Sequence, residues 1–233
     1  MSRLSSERIG SAVRDRYLDC LDFFSGRPFA RDYRLVRPYT PCGNARLSAL
    51  HKAVSQTIAA GIPGDVVECG TARGGSAALM GLALKRSGAG RKLWVFDTFE
   101  GLPAPQAGGP DWEDGERYTG SCRGSLEEVK QLFDQCGILP FSRLVKGMFA
   151  DTLPRSGVGA VSVLHIDCDW YESVKACLDA FYPRVSPGGI IQVDDYGHWK
   201  GAREAVDELL KERSQEVSVR SIDYTGRQLL KKR

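Results

Sequence analysis

VSVLHIDCDWYES, residues 161–173, sets Val161, Val163, Leu164 and Ile166 directly before a knot of acids at Asp167, Asp169 and Glu172. Aliphatic and β-branched residues at this density describe a strand covered on both faces, the habit of a parallel sheet. The continuation, YESVKACLDAF, has apolar residues at helical spacing, so the unit reads as strand then helix. GGIIQVDDYG, residues 188–197, repeats the ending with Asp194 and Asp195. Two buried strands that finish in paired carboxylates need something to meet that charge.

Working outward, the same alternation extends along most of the chain. Strands are expected at 65–70 (DVVECG), 92–97 (KLWVFD), 142–147 (SRLVKG), 161–167 and 189–195, with terminal strands at 216–224 and 227–233. Helices are expected at 46–60, 75–88, 125–137, 171–181 and 201–213, with a short loop or helix at 149–157. Ser125 and Glu128 have the spacing of a capping box. Alternating strands and helices predict an α/β domain over 46–233, built on a mostly parallel seven-stranded sheet with helices on both faces. Residues 1–45 read as an N-terminal extension, a candidate lid or interface. It has a short helix near 12–24, then irregular chain broken by Pro28, Pro38 and Pro41. Residues 101–124 carry no repeat of either period and are rich in Gly and Pro, as expected of a lid or binding loop.

Bulk properties exclude several classes. The net charge is +3, with basic residues scattered, so charge gives no reason to invoke nucleic acid. No apolar run is long enough to span a membrane, and the first residues lack the apolar core of a signal peptide. Seven cysteines without a CxxC pair, and histidines only at 51, 165 and 198, lack zinc spacing and suggest reduced thiols in the cytoplasm.

In open α/β sheets ligands lie beyond the carboxyl ends of the strands. Glu68, Asp97, Asp167 with Asp169, and Asp194 with Asp195 all fall there. VVECGTARGGSAALM is a glycine-rich strand-to-helix turn, yet it is neither GxGxxG nor a P-loop. An acid before its first glycine suits a ligand with an ammonium or sulfonium group, and S-adenosylmethionine fits. Asp97 is placed to accept from ribose hydroxyls, or else to cap the turn that follows it. The aspartate cluster would repel itself, and Mg²⁺ relieves such repulsion. Alternatively some of the acids cap helices or pair with Lys200 or Arg203. His165 is expected to pack on the face away from Asp167. His198 borders the acceptor or does nothing, and Trp112 and Tyr118 stack on an acceptor or stay idle.

The segments GDVVECGTARGGSA, LWVFDTFEGLP, GMFADTLP, HIDCDWYES, YPRVSPGGIIQVDDYG and GAREAVDEL closely resemble the macrocin O-methyltransferase family, from about Pro38 to the C-terminus. The resemblance implies a Rossmann-like class I methyltransferase fold and an S-adenosylmethionine- and Mg²⁺-dependent enzyme that methylates a sugar hydroxyl on a glycosylated natural product, often as a homo-oligomer. It assigns Asp167, Asp194 and Asp195 to the metal and Asp169 to the general base. It assigns Glu68, Gly70, Thr71, Gly74, Gly75 and Ser76 to the methionine part of the cofactor. Asp97 would take the ribose and Thr98, Phe99 and Gly101 the adenosine, with further contacts from Tyr39, Thr40, Ser125 and Asp151. The chain departs from the family after RPYT, where it has PCGN. It departs again at Cys168, where glycine is usual, and at Trp170, where a smaller aliphatic is common. Rival readings are methylation of a catechol or other phenol, which a lysine near the metal would serve, and a non-catalytic scaffold that kept the fold.

Overall fold

Successive residues of a strand point to opposite faces of its sheet, and this chain fills both. Val66, Leu93, Val95, Val163 and Ile190 belong to one core, whereas Val67, Phe96, Leu164, Ile166, Ile191 and Val193 belong to the other. The computed structural model describes residues 28–233 together with Gly10, Val13, Arg14 and Tyr17. Seven strands make one sheet in the order β3-β2-β1-β4-β5-β7-β6. They are β1 (Asp65–Cys69), β2 (Leu93–Asp97), β3 (Ser142–Lys146), β4 (Val161–Ile166), β5 (Val185–Val193), β6 (Val217–Ser221) and β7 (Arg227–Lys231). The first five run parallel, and β7 pairs antiparallel with both β5 and β6.

Helices α1 (Pro28–Val36), α2 (Asn44–Ala59), α3 (Gly75–Ser87) and α5 (Leu126–Cys136) lend residues to the first core. Helices α7 (Tyr171–Phe181) and α8 (Lys200–Arg213) close the second. Two single-turn helices, α4 (Trp112–Gly115) and α6 (Phe149–Thr152), lie in the loops above β2 and β3. No helix of the described residues is long and apolar enough to cross a membrane.

Three sequence expectations shift. Residues 28–36 are helical rather than irregular: Pro28 occupies the first position, where its missing N–H costs nothing. Ala30, Tyr33 and Val36 bury against the core, and Arg86 of α3 bonds Asp32 at 2.7 Å. The helix expected near 12–24 lies outside the described residues except for positions 13, 14 and 17, which are helical. Strand β5 begins at Val185, not 189, because Pro187 and the left-handed Gly188 (φ +85°) are absorbed in a bulge that shifts its register against β4. Strand β6 ends at Ser221, where Asp223 folds 222–226 into a turn by accepting from the backbone N–H of Thr225 and Gly226.

The strand order reverses between β1 and β4, and ligand crevices open at such a switch. The two tips are in contact there. Asp167 N–H donates to Cys69 O at 2.9 Å, and a Cβ on Gly70 (φ +83°) would lie 2.0 Å from Asp167 O, so only glycine fits.

Residues 101–124 are tied down at several points. Leu102 and Gly120–Ser121 exchange backbone bonds of 2.8 and 2.9 Å. The buried carboxylate of Asp111 accepts from Tyr171 N at 2.9 Å and from Gly201 N at 2.8 Å, so one side chain caps the first turns of both α7 and α8. Losing two charged caps at once carries a larger cost than losing one. Asp111→Ala is expected to destabilise the fold by about 2–3 kcal/mol in urea denaturation, whereas Asp111→Asn loses less than half of that. An unchanged midpoint in the alanine variant refutes the double cap.

Candidate active site

The glycine-rich turn after β1 is shaped by a carboxylate from β2. Asp97 Oδ2 accepts from Thr71 N at 2.7 Å and Ala72 N at 3.3 Å, and Oδ1 accepts from Phe99 N at 2.7 Å. Burial raises the Asp97 pKa, and the backbone donors offset only part of that. Asp97 therefore caps the turn that follows it through Phe99, as one of the two readings held, braces the glycine-rich turn as well, and lines the cavity. Gly74 starts α3 at φ +87°, and a Cβ on Gly75 would lie 2.8 Å from both Tyr39 and Thr40. That approach brings RPYT directly onto the N-terminus of α3. Ser125 caps α5 through the expected box with Glu128, and Gly124 beside it presses on Ala72 O.

One cavity collects these pieces. Gly70, Thr71, Asp97, Thr98 and Gly101 line it on one side, and Asp167, Asp169 and Asp195 on another. Cys42, Arg46, Cys122, Met148 and Phe149 line it as well. Tyr39, Thr40, Gly74, Gly75, Ser76 and Ser125 are not among the lining residues, although Tyr39 and Thr40 abut Gly75. Phe99 is buried in the core, and Asp151 is exposed on α6, outside the lining. Glu68 is fully buried and outside the lining, with Oε1 2.8 Å from His165 Nδ1 and Oε2 without a partner among the described residues. Thr71 Oγ1 is likewise buried and unpartnered. Two orphaned oxygens beside a glycine turn suit a ligand carrying an ammonium group and further polar edges.

The acids differ in how they are held. Asp194 has no exposure and accepts from Cys42 Sγ at 3.0 Å, Arg46 Nη1 at 3.0 Å and Gln192 Nε2 at 2.9 Å, while His165 Nε2 stands 3.2 Å away. Burial alone would raise its pKa. Arg46 and then His165 outweigh burial and hold the carboxyl well below the usual range. Asp167 faces other acids: burial, then Asp194 and Asp195, pushes it well above its ordinary value. Asp195 is also pushed up, by burial and by Asp169. Asp169 adopts φ +62°; its N–H donates to Asp195 Oδ2 at 3.2 Å, and Trp199 Nε1–H donates to its Oδ1 at 2.7 Å. Burial, followed by the charge of Asp167, raises Asp169 to about 7.

Ligand atoms of His165, Asp167 and Asp194 lie within 4.8 Å of one another. Of the three aspartates expected to hold the metal, Asp167 and Asp194 belong to that group and Asp195 does not, and carboxylate oxygens suit a hard divalent cation. His165 does not face away from the acids: it stands two residues before Asp167, and positions two apart share a face of the strand. Its charge is met on both sides, by Glu68 and by Asp194. Burial would lower its pKa, but Asp194 and Glu68 together raise it well above the usual value, and its Nε2, 3.2 Å from Asp194 Oδ1, makes no hydrogen bond among the described residues. Lys200 and Arg203 do not pair with the cluster. Lys200 faces Glu204, and Arg203 reaches Tyr196 O.

A model of the macrocin O-methyltransferase (TylF) family matches residues 21–231. The chain belongs to the macrocin O-methyltransferase family. It is 36% identical over 205 residues to the 8-demethyl-8-(2,3-dimethoxy-alpha-L-rhamnosyl)-tetracenomycin-C 4'-O-methyltransferase of Streptomyces olivaceus, covering 86% of this chain and 78% of that protein. It is 32% identical to the mycinamicin III 3''-O-methyltransferase of Micromonospora griseorubida, over 86% of this chain and 81% of that one. The solved structure of the O-methyltransferase NovP superposes with a TM-score of 0.78 at 33% identity, over 84% and 83% of the two chains. The fold is that of the class I methyltransferases, and the chain is an S-adenosylmethionine-dependent O-methyltransferase.

Arg46, Cys42 and Trp199 escaped the sequence reading. Arg46 also bonds Asp223 Oδ2 at 3.1 Å, so α2, β5 and the turn after β6 meet at one guanidinium. Removing it leaves Asp194 charged, buried and short of its main partner. Arg46→Met is expected to cost on the order of 3 kcal/mol in equilibrium unfolding at neutral pH. A loss below about 1 kcal/mol means that the pair carries little of the site's stability.

Proposed function

We propose that this enzyme transfers the methyl group of S-adenosylmethionine to a hydroxyl of a sugar carried by a glycosylated natural product, with Mg²⁺ held by Asp167, Asp194 and Asp195. The observation that carries the reading is one cavity lined both by the glycine turn and Asp97 and by Asp167, Asp169 and Asp195. A donor lying against the glycine turn and Asp97 would present its methyl group to an acceptor beside the aspartates. The names of relatives from Streptomyces and Micromonospora, a rhamnosyl tetracenomycin and a mycinamicin methyltransferase, support a glycosylated acceptor.

Glu68 Oε2 would receive the cofactor's ammonium group, and Asp97 and Thr98 would face its ribose. Asp194, fixed by Arg46 and Gln192, would hold the ion together with Asp167 and Asp195. A bound Mg²⁺ supplies Lewis-acid stabilisation of the charge that develops on the acceptor oxygen. Asp169 Oδ1 is taken by Trp199, which leaves Oδ2 to accept the hydroxyl proton as the oxygen attacks the methyl carbon. Positioning then supplies much of the rate, because donor and acceptor meet in line at near-contact distance. No lysine is among the residues lining the cavity, and Arg46 there is engaged by Asp194 and Asp223. That favours an aliphatic hydroxyl over a phenol. Cys42 and Cys122 on the cavity wall are free thiols, which suits a reducing, cytoplasmic setting.

Tritium transfer from labelled cofactor to a panel of macrolide, aminocoumarin and rhamnosyl polyketide glycosides tests the acceptor class. Transfer to simple catechols but to none of these glycosides defeats it. Asp169→Asn is expected to lower kcat roughly 10²- to 10⁴-fold while calorimetric affinity for S-adenosylhomocysteine stays near wild type. EDTA should abolish turnover and added Mg²⁺ restore it; undiminished activity in EDTA removes the metal from the mechanism.

A further inference from the structure

Trp199 precedes α8 and stands outside every motif that drew attention to the site. Its indole N–H nonetheless reaches Asp169 Oδ1 at 2.7 Å. The ring has little room to move, being 8% exposed. Trp170 lies 4.8 Å away at 71°, Tyr118 5.4 Å away at 80° and His198 4.8 Å away at 84°, all edge-on. The Trp199 backbone is held too, because its N–H donates to Asp195 O at 3.0 Å. The donor is therefore fixed before any ligand arrives.

Asp169 is held at two points. Its backbone N–H is spent on Asp195 Oδ2 at 3.2 Å, within a left-handed conformation that a non-glycine residue rarely adopts. Its side chain has two torsions, and a bond to Oδ1 selects one carboxylate orientation from those torsions allow. Strain of this kind persists where surrounding contacts over-determine the backbone, and Trp199 is one such contact.

We infer that Trp199 is the positioning residue for the base: its indole N–H fixes the Asp169 carboxylate so that Oδ2 is turned to the acceptor hydroxyl. This rests on the reading of Asp169 as the base. Tyr118, from the 101–124 segment, packs against the same indole. The placement of that segment thus bears on Asp169 through one ring.

Trp199→Phe keeps an aromatic ring for Trp170, Tyr118 and His198 and removes only the donor. It is expected to lower kcat about 10- to 100-fold, the loss typical of one hydrogen bond to a charged group. KM for the cofactor and calorimetric affinity for S-adenosylhomocysteine should stay within about twofold of wild type, as no cofactor contact is touched. A second reading needs no acceptor. In ¹⁵N-labelled protein the indole resonance that vanishes in Trp199→Phe should move upfield in Asp169→Ala. Unchanged kcat in Trp199→Phe, a parallel collapse of S-adenosylhomocysteine affinity, or an indole resonance indifferent to Asp169→Ala each overturns the inference. Full activity in Asp169→Asn instead defeats the assignment of the base. A wild-type enzyme that methylates no glycoside defeats the acceptor class, and the indole resonance then decides the contact alone.

Discussion

Carboxylates taken out of water must find donors or a counter-charge, and the structure depends on how each strand-tip acid meets that demand. Asp97 is met by three backbone N–H groups, and Asp111 by the first turns of two helices. Glu68 and Asp194 share His165, and Asp194 adds Arg46, Cys42 and Gln192. Asp169 has the indole of Trp199. Asp167 and Asp195 are left mostly with one another and with further acids, and burial drives both toward the neutral form. The protein has thus sorted its acids by partner. Donors fix Asp97, Asp111 and Asp194 in place, and Asp167 and Asp195, the poorest in donors, are where a cation is worth most.

The sorting extends below the site into the sheet. Glu68 of β1 stands opposite His165 of β4, His165 opposite Gln192 of β5, and Gln192 opposite Gln228 of β7. All four are buried, so a polar row crosses four strands inside a core otherwise made of Val, Leu and Ile. Gln228 Nε2 donates to Gln192 Oε1 at 3.0 Å, and Gln192 Nε2 passes the chain to Asp194. The bonded part of the row, from Gln228 through Gln192 to Asp194, rigidifies what it touches, while Glu68 Oε2 and His165 Nε2 stay without a hydrogen bond among the described residues. The row as a whole links the acid proposed for the cofactor to an acid proposed for the ion. It also gives the antiparallel C-terminal hairpin, far from the chemistry in sequence, a hand in the site.

Local signals made the fold legible and distance limited the site. Strand and helix periods, the Ser125–Glu128 box and the acids at strand ends are properties of a few consecutive residues. The chain alone therefore announced an α/β sheet with its crevice at the carboxyl ends. Arg46 looked like one more polar position on a helix, because its partners Asp194 and Asp223 lie 148 and 177 residues away. Cys42 was equally silent. His165 was readable and was misread, since a period of two puts it beside Asp167 rather than behind it. The helix at 28–36 was hidden by prolines that look like breakers, although Pro28 in fact opens it. Strand β5 was shortened for the same reason, with Pro187 and Gly188 taken as its boundary when they form a bulge within it.

The departures from family habit find structural uses that differ from one another. PCGN after RPYT places Cys42 against Asp194 and opens α2 at Asn44, so that change serves the acid cluster as much as any entrance. Cys168 lines the cavity and bears directly on its shape. Trp170 does not line it. It is 1% exposed, donates from Nε1 to Pro103 O at 2.8 Å, and lies where a Cβ on Gly115 would come within 2.9 Å of its ring. A small aliphatic there would leave the 101–124 segment without its floor and without that hydrogen bond. Together with the Asp111 caps, Trp170 turns a glycine- and proline-rich stretch into an anchored strap whose Tyr118 rests on Trp199. The cavity is thereby shaped by a residue that does not line it. Selectivity among acceptors of the proposed class should track how this strap is seated as much as which side chains line the cavity.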